Sequence, residues 1–242
     1  MAYVEMLRAR RVLVCFAIIL AVILVLVLLS GRHHVMIDHN AIPLSAILGA
    51  ASIGPMLVVA FLASGLNAEH ATTAILWTRP LARAAIAWRY VAVDMGALVV
   101  AYALTLVAAL AGMASLGVLS WVQADAHSLV TVPLALACPA MLYGWIQLIS
   151  ARLPGRAGAV AGGLWFAMLV LTPLLIAPFP PLLHDVIRGL DYLNPLIWLG
   201  SHGREDGATL IALSTGWRAL GAALIALVAL VVSIQLWSTR EA

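Results

Sequence analysis

The chain contains no lysine, so all 13 of its basic residues are arginine. Because the Walker A phosphate-binding loop, G-x-x-x-x-G-K-[ST], requires a lysine, this chain cannot carry one. The sequence also lacks the H-E-x-x-H and G-x-S-x-G motifs and any pair of aspartates within an apolar run. We therefore expect no enzymatic activity, and any ATP-driven work would need an ATPase on a separate chain.

Charged residues are scarce, at 10% of the chain against about 25% in a typical soluble domain. Hydrophobic residues make up 64% and the mean hydropathy is +1.09. This composition predicts a protein that crosses the lipid bilayer several times, and its net charge of +3 reflects membrane topology rather than nucleic-acid binding. Cys15 and Cys138 lie in apolar runs and are interpreted as small buried hydrophobic residues.

Six apolar runs are each long enough to cross a bilayer, and they predict an all-α membrane protein with a single transmembrane domain. The predicted spans are residues 12–30, 44–66, 84–112, 129–150, 158–178 and 217–237. Residues 1–11 place Arg8, Arg10 and Arg11 among apolar residues, which predicts a short amphipathic helix at the membrane interface before the first span.

The distribution of arginine sets the expected orientation, because loops rich in arginine remain in the cytoplasm. Six spans put both termini on the same side of the membrane. If that side is the cytoplasm, the inner segments contain more arginines than the outer ones, as the rule requires. The inner residues are then Arg8, Arg10, Arg11, Arg79, Arg83, Arg89, Arg152, Arg156 and Arg240. The outer residues are Arg32, Arg188, Arg204 and Arg218.

A polar stretch, NAEHATTAILWTRPLAR, separates the second and third predicted spans and is called the coupling segment, residues 67–83, below. Asn67 can cap a short helix, and Glu69 in its first turn interacts favourably with the helix dipole. Pro80 disfavours helix at the preceding residue, so this helix should end near Thr78. At roughly ten residues it is too short and too polar to span, and it would lie at the membrane surface.

Six positions in this stretch form the arrangement E-x-x-x-T-x-x-L-x-T-x-P-x-x-R. They are Glu69, Thr73, Leu76, Thr78, Pro80 and Arg83. The arrangement resembles the permease subunits of ABC-2 type exporters, in which this segment is a coupling helix that docks into a groove of an ATP-binding subunit. The resemblance implies that Trp77 belongs to the same docking surface. An ordinary charged cytoplasmic loop is the alternative interpretation.

The resemblance also implies partners and location. Two copies of a separate ATP-binding subunit would bind ATP and magnesium, and this chain would hold no cofactor. A second permease chain, identical or related, would complete the pathway in a bacterial cytoplasmic membrane. A scaffold or assembly subunit that uses the same ATPase for mechanical work without transport is an alternative function.

The segment between the fifth and sixth predicted spans includes LLHDVIRGLDYLNPLIWL, an amphipathic pattern that Asn194 and Pro195 interrupt. Backbone at membrane depth must satisfy its own hydrogen bonds, so this segment should be helical. The resemblance implies a re-entrant helical segment that gates the pathway on the outer side, around Asn194 and Pro195. A helical loop that lies on the surface without a gating role is the alternative.

Asp94 is the one acidic residue within a predicted span. Such residues often line a transport pathway. The alternative, which its position away from mid-span favours, is a carboxylate near the inner interface that Arg83 or Arg89 neutralises. Gln147 has the same two interpretations and is predicted near the interface.

The outer sequence HHVMIDH suggests a different class of function. Imidazole and thioether groups bind copper or zinc, which makes His33, His34 and His39 candidate ligands for a metal-handling membrane protein. The spacing matches no standard ligand pattern, and histidines in a hydrated loop need no partner.

Overall fold

The computed structural model describes residues 2–31, 41–68, 83–153, 156–174, 180–191, 193–199 and 215–239. The helices are α1 (Ala2–Gly31), α2 (Leu44–Ala50), α3 (Ile53–Ala68), α4 (Arg83–Ser115), α5 (Ser128–Ser150), α6 (Ala157–Leu174), α7 (Pro181–Asp191), α8 (Pro195–Leu199) and α9 (Thr215–Ser238). Two short strands, β1 (Ile42–Pro43) and β2 (Val122–Gln123), pair in parallel, and a 3₁₀ turn covers Leu119–Trp121.

The prediction of a mostly helical chain with several membrane-length helices is confirmed. Five helical segments in the described part of the chain are long and apolar enough to cross a membrane: Met6–Leu29, Leu44–Ala63, Ala84–Ser115, Ser128–Ser150 and Thr215–Trp237. The remaining predicted span, residues 158–178, corresponds to α6. Its 18 residues extend for about 27 Å at the usual rise per residue, but its apolar part, Ala157–Val170, is shorter than the other five.

Two helix boundaries differ from the sequence prediction. The N-terminal residues do not form a separate interfacial helix, because α1 runs without a break from Ala2 to Gly31. The second predicted span is instead divided into α2 and α3 by a turn at Ala51 and Ser52. Pro55 near the start of α3 lacks a backbone donor, which is tolerated in the first turn of a helix but not in the middle of one.

Helices α1 and α4 run in the same direction. Arg8 contacts Asp94 near the beginning of both helices, and Leu24 lies beside Gly112 toward their other ends. A Cβ atom at Gly112 would lie 3.2 Å from Leu24 Cδ1, so the two helices remain close over most of their length. We call the end of the bundle where α1 and α4 begin the Arg8 end.

Helix α3 runs in the opposite direction and packs against both α1 and α4. Its first turn approaches α4 so closely that a Cβ atom at Gly54 would overlap the Thr105 hydroxyl. Its last turns return to the Arg8 end, where the Leu62 carbonyl accepts a hydrogen bond from Arg8. Glycine at position 54 is therefore required by the close approach of the two helices.

Helices α5 and α9 form an extensive contact through small residues on α9. Ala219, Ala222, Ala226 and Ala229 are all buried, and a Cβ atom at Gly144 would lie 3.0 Å from that of Ala229. The early part of α9 shares a core cluster with the early part of α5, and the late part of α9 shares another with the late part of α5. The two helices therefore run in the same direction.

The opposite end of the bundle is held by a hydrogen-bonded turn around Asp125. The Asp125 carboxylate accepts hydrogen bonds from the Ser128 hydroxyl and from the Ser45 amide, the latter at 3.0 Å. These bonds hold the pKa of Asp125 below its usual value, and the bond from Ser128 has the largest effect. This arrangement of Ser45, Asp125 and Ser128 joins the starts of α2 and α5.

Candidate functional site

A buried ion pair joins α1 to α4 near the Arg8 end. Arg8 Nη2 lies 2.5 Å from Asp94 Oδ1, and the Asp94 side chain is fully buried. The Arg8 guanidinium also lies over the Tyr90 ring, 5.4 Å from its centroid. Removing two charges from water is costly, so such a pair persists only when further hydrogen bonds complete its environment.

Helix α5 supplies the second bond to the carboxylate. The Tyr143 hydroxyl donates to Asp94 Oδ2 at 2.6 Å, and the Tyr143 side chain is fully buried. Both oxygens of Asp94 are therefore engaged, one by a guanidinium and the other by a phenol. This arrangement gives the carboxylate two short hydrogen bonds and a positive charge beside it, and the role of Asp94 in a pathway stays a prediction.

Two further hydrogen bonds attach the last turns of α3 to this group. Arg8 Nη1 donates to the Leu62 carbonyl at 3.1 Å, and Gln147 Nε2 donates to the Ala63 carbonyl at 3.4 Å. Arg8, Asp94, Tyr143 and Gln147, which we call the polar cluster, thus connect α1, α3, α4 and α5. The chain enters the coupling segment within two turns of these carbonyls on α3 and leaves it at the start of α4.

The polar cluster retains unused hydrogen-bonding capacity. Among the residues that the structure describes, Arg8 Nε and Gln147 Oε1 are buried without a hydrogen-bond partner. A buried donor or acceptor without a partner costs about 1–3 kcal/mol. The cluster can therefore form additional bonds if its helices shift relative to one another.

The sequence identified Asp94 and Gln147 but not their partners. The expectation that Arg83 or Arg89 neutralises Asp94 is wrong, because Arg8 does so. Arg89 is exposed, whereas the parallel packing of α1 on α4 brings Arg8 to Asp94. Gln147 lies one turn from the end of α5, as expected for a residue near the interface, but it is 1% exposed and bonded to α3.

Most of the coupling segment lies outside the described residues. This applies to Glu69, Thr73, Leu76, Trp77, Thr78 and Pro80, whose role stays a prediction. Arg83 is the first residue of α4. Helix α3 ends and α4 begins within one or two residues of the boundaries predicted for the second and third spans.

The predicted interruption at Asn194 and Pro195 separates α7 from α8. Asn194 is 2% exposed; its Oδ1 accepts a hydrogen bond from the Leu196 amide at 3.0 Å, and its Nδ2 donates to the Met168 carbonyl of α6 at 3.5 Å. Asn194 thereby caps α8 and attaches it to α6.

Helices α7 and α8 differ in their surroundings. In α8, the Trp198 ring lies against Gly221 of α9, and the backbone carbonyl of Trp198 accepts a hydrogen bond from Arg218. In α7, Leu182 is 80% exposed and Val186 52% exposed, although Ile187 is buried. Helix α8 is therefore part of the protein core, whereas α7 presents an apolar surface.

His33, His34 and His39, which the sequence predicts in an outer loop, also lie outside the described residues, so their location and metal binding stay predictions. Within the described ranges, no three His, Cys, Asp or Glu side chains are grouped so as to hold a metal ion. Comparisons of the chain with protein-family models, with curated proteins and with solved structures found no match.

Proposed function

We propose that this chain is the permease subunit of an ABC-2 type exporter, which couples ATP hydrolysis in a separate subunit to movement of a substrate across the membrane. The observation that carries the proposal is the position of the coupling segment. It connects α3 to α4, and the polar cluster joins these two helices to α1 and α5. A force applied to this segment would therefore reach four helices.

The direction of the helices supports six spans. Helices α5 and α9 run in the same direction, so the chain must return across the bundle between Ser150 and Thr215. Among the described residues of this interval, α6 is the longest helix, and its length of about 27 Å approaches the thickness of the bilayer core, roughly 30 Å. We assign the sixth crossing to α6.

The arginines support a cytoplasmic location for the Arg8 end. Arg10, Arg11, Arg89, Arg152 and Arg156 are exposed, and they lie near the beginning of α1, near the beginning of α4 or just after the end of α5. These three positions meet at the polar cluster. By the positive-inside rule, the N-terminus, the coupling segment and the C-terminus would face the cytoplasm.

The mechanism follows from the cost of separating the polar cluster. Breaking a buried ion pair by removing one partner costs about 3–5 kcal/mol, so α1, α3, α4 and α5 would move as a unit near the Arg8 end. Closure of two ATP-binding subunits, with ATP and magnesium between them, would displace the coupling segment and tilt this unit. A second permease chain would form the other wall of the pathway.

The segment around Asn194 and Pro195 would form the outer gate. Helix α8 packs against α5 and α9 and is attached to α6 through Asn194, so it would follow any rearrangement of these helices. Helix α7, with its apolar surface, would lie at the membrane interface. The re-entrant segment would then consist of a buried part, α8, and a part at the membrane interface, α7.

Co-purification tests the proposal. The full chain, extracted from bacterial cytoplasmic membranes in mild detergent, should carry an ATP-hydrolysing subunit with a Walker A motif. Trp77→Asp and Thr78→Asp should each remove that subunit while leaving the amount of folded permease unchanged. Leu119→Asp, a matched substitution at an exposed position near the opposite end, should retain it. Equal retention in all three variants would refute the docking assignment.

A further inference from the structure

A groove of about 350 Å³ lies between α1 and α4 on the surface of the bundle that faces away from the protein core. Its α4 side consists of Val93, Ala97, Val100 and Leu104, which recur at the spacing of one helix face. Alanines on both helices widen the groove, because they leave space between larger neighbours. Val100 is 46% exposed, so the groove opens outward rather than into the protein.

The groove has the length of one membrane leaflet. From Val93 to Leu104 the α4 side extends for about 16 Å at the rise of an α-helix, and half of the bilayer core is roughly 15 Å. Both helices are among those long and apolar enough to cross a membrane. The depth and direction of the groove therefore match those of a single phospholipid acyl chain.

The groove carries one charged side chain, Arg10, near its Arg8 end. Arg10 is exposed, and among the side chains that the structure describes it has no acidic partner. Side chains of an α-helix tilt toward its N-terminus, and long basic side chains reach toward the membrane surface. The guanidinium is thus directed to the depth of lipid headgroups, where it can bind a phosphate through two parallel hydrogen bonds.

We propose that this groove binds an anionic phospholipid, with an acyl chain between α1 and α4 and the headgroup phosphate on Arg10. The charge favours an anionic lipid over a zwitterionic one, since a zwitterionic headgroup offsets its phosphate with its own cation. The neighbouring Arg8 is engaged by Asp94 and does not contribute. This site is independent of the proposed coupling to an ATPase.

The test measures binding of fluorescent phosphatidylglycerol and phosphatidylcholine, with matched acyl chains, to the delipidated full chain in detergent. Arg10→Gln should weaken phosphatidylglycerol binding about ten-fold, the effect of losing a charge-assisted hydrogen bond. Arg11→Gln is the matched control, because Arg11 is adjacent and exposed but does not line the groove. Ala17→Phe, which fills the groove, should weaken binding of both lipids.

Four results would overturn the proposal. Equal losses in Arg10→Gln and Arg11→Gln would indicate general surface charge, and equal affinity of the native chain for both lipids would exclude recognition of an anionic headgroup. Unchanged binding in Ala17→Phe, with the variant eluting as a folded protein, would exclude the groove. Efficient disulfide cross-linking between two Ala17→Cys chains that also carry Cys15→Ser and Cys138→Ser would show that a second copy occupies it instead.

Discussion

Asp94 and Asp125 lie near opposite ends of the helical bundle, and their carboxylates differ in burial and in hydrogen-bond partners. Asp94 is fully buried and paired with an arginine 86 positions away, with a tyrosine on its other oxygen. Asp125 lies in a turn and accepts hydrogen bonds from a nearby serine hydroxyl and a backbone amide. Both carboxylates join separate helices, but Asp94 does so through a buried charge pair, whereas Asp125 links the starts of α2 and α5 through a hydrogen-bonded turn.

The largest expected effect is that of removing the cation from Asp94. Arg8→Met leaves a buried carboxylate without its counter-charge and should reduce the free energy of unfolding by about 3–5 kcal/mol. Unfolding in mixed detergent measures this loss. The matched control is Arg11→Met, an exposed arginine on the same helix, which should change stability by no more than about 0.5 kcal/mol.

The double variant Arg8→Met with Asp94→Asn sharpens this test. Because it removes both charges, it should recover much of the stability lost by Arg8→Met alone. If the two changes were simply additive, the ion pair would not be the source of the loss.

A smaller effect is expected at the other oxygen of Asp94. Tyr143→Phe removes one hydrogen bond to a charged acceptor and should cost roughly 1.5–3 kcal/mol of unfolding free energy. Tyr102→Phe is the control, since the Tyr102 hydroxyl donates to the neutral Leu48 carbonyl at 3.1 Å and its loss should cost about 0.5–1.5 kcal/mol. The same detergent titration compares them; a greater loss in Tyr102→Phe would contradict the importance of the polar cluster.

The smallest effect concerns Asp125, and it depends on pH. Its lowered pKa means that the ionised carboxylate stabilises the folded chain above the unfolded pKa of about 3.9, and that this contribution falls as the pH drops below that value. Asp125→Asn should therefore be more destabilising at pH 6 than at pH 3. An equal difference between native and variant at both values would show that ionisation of Asp125 does not matter.

Local sequence signals predicted much of this fold. The apolar runs fixed the approximate extent of most membrane-length helices, because burial in lipid depends on the composition of each segment by itself. The boundary at Asn194 and Pro195 was also predicted, since proline restricts the residue before it irrespective of tertiary structure. These features need no knowledge of which helices are neighbours.

Features that depend on helix packing were missed. The pairing of Arg8 with Asp94 arises because α1 and α4 are parallel neighbours, and no local pattern indicates this. Arg89 was the nearer candidate in sequence, only five positions from Asp94, but it is exposed. The break at Ala51 and Ser52 was likewise missed, because the surrounding apolar run continues through it.

Side-specific labelling of Glu69→Cys tests the central claim that the coupling segment faces the cytoplasm and contacts an ATPase there. With Cys15→Ser and Cys138→Ser as background, and Leu119→Cys as the reference for the opposite side, a membrane-impermeant maleimide distinguishes the two faces. We expect Glu69→Cys to react only in inside-out vesicles, and less when the ATP-binding subunit is present. Reaction from outside intact cells would contradict the account.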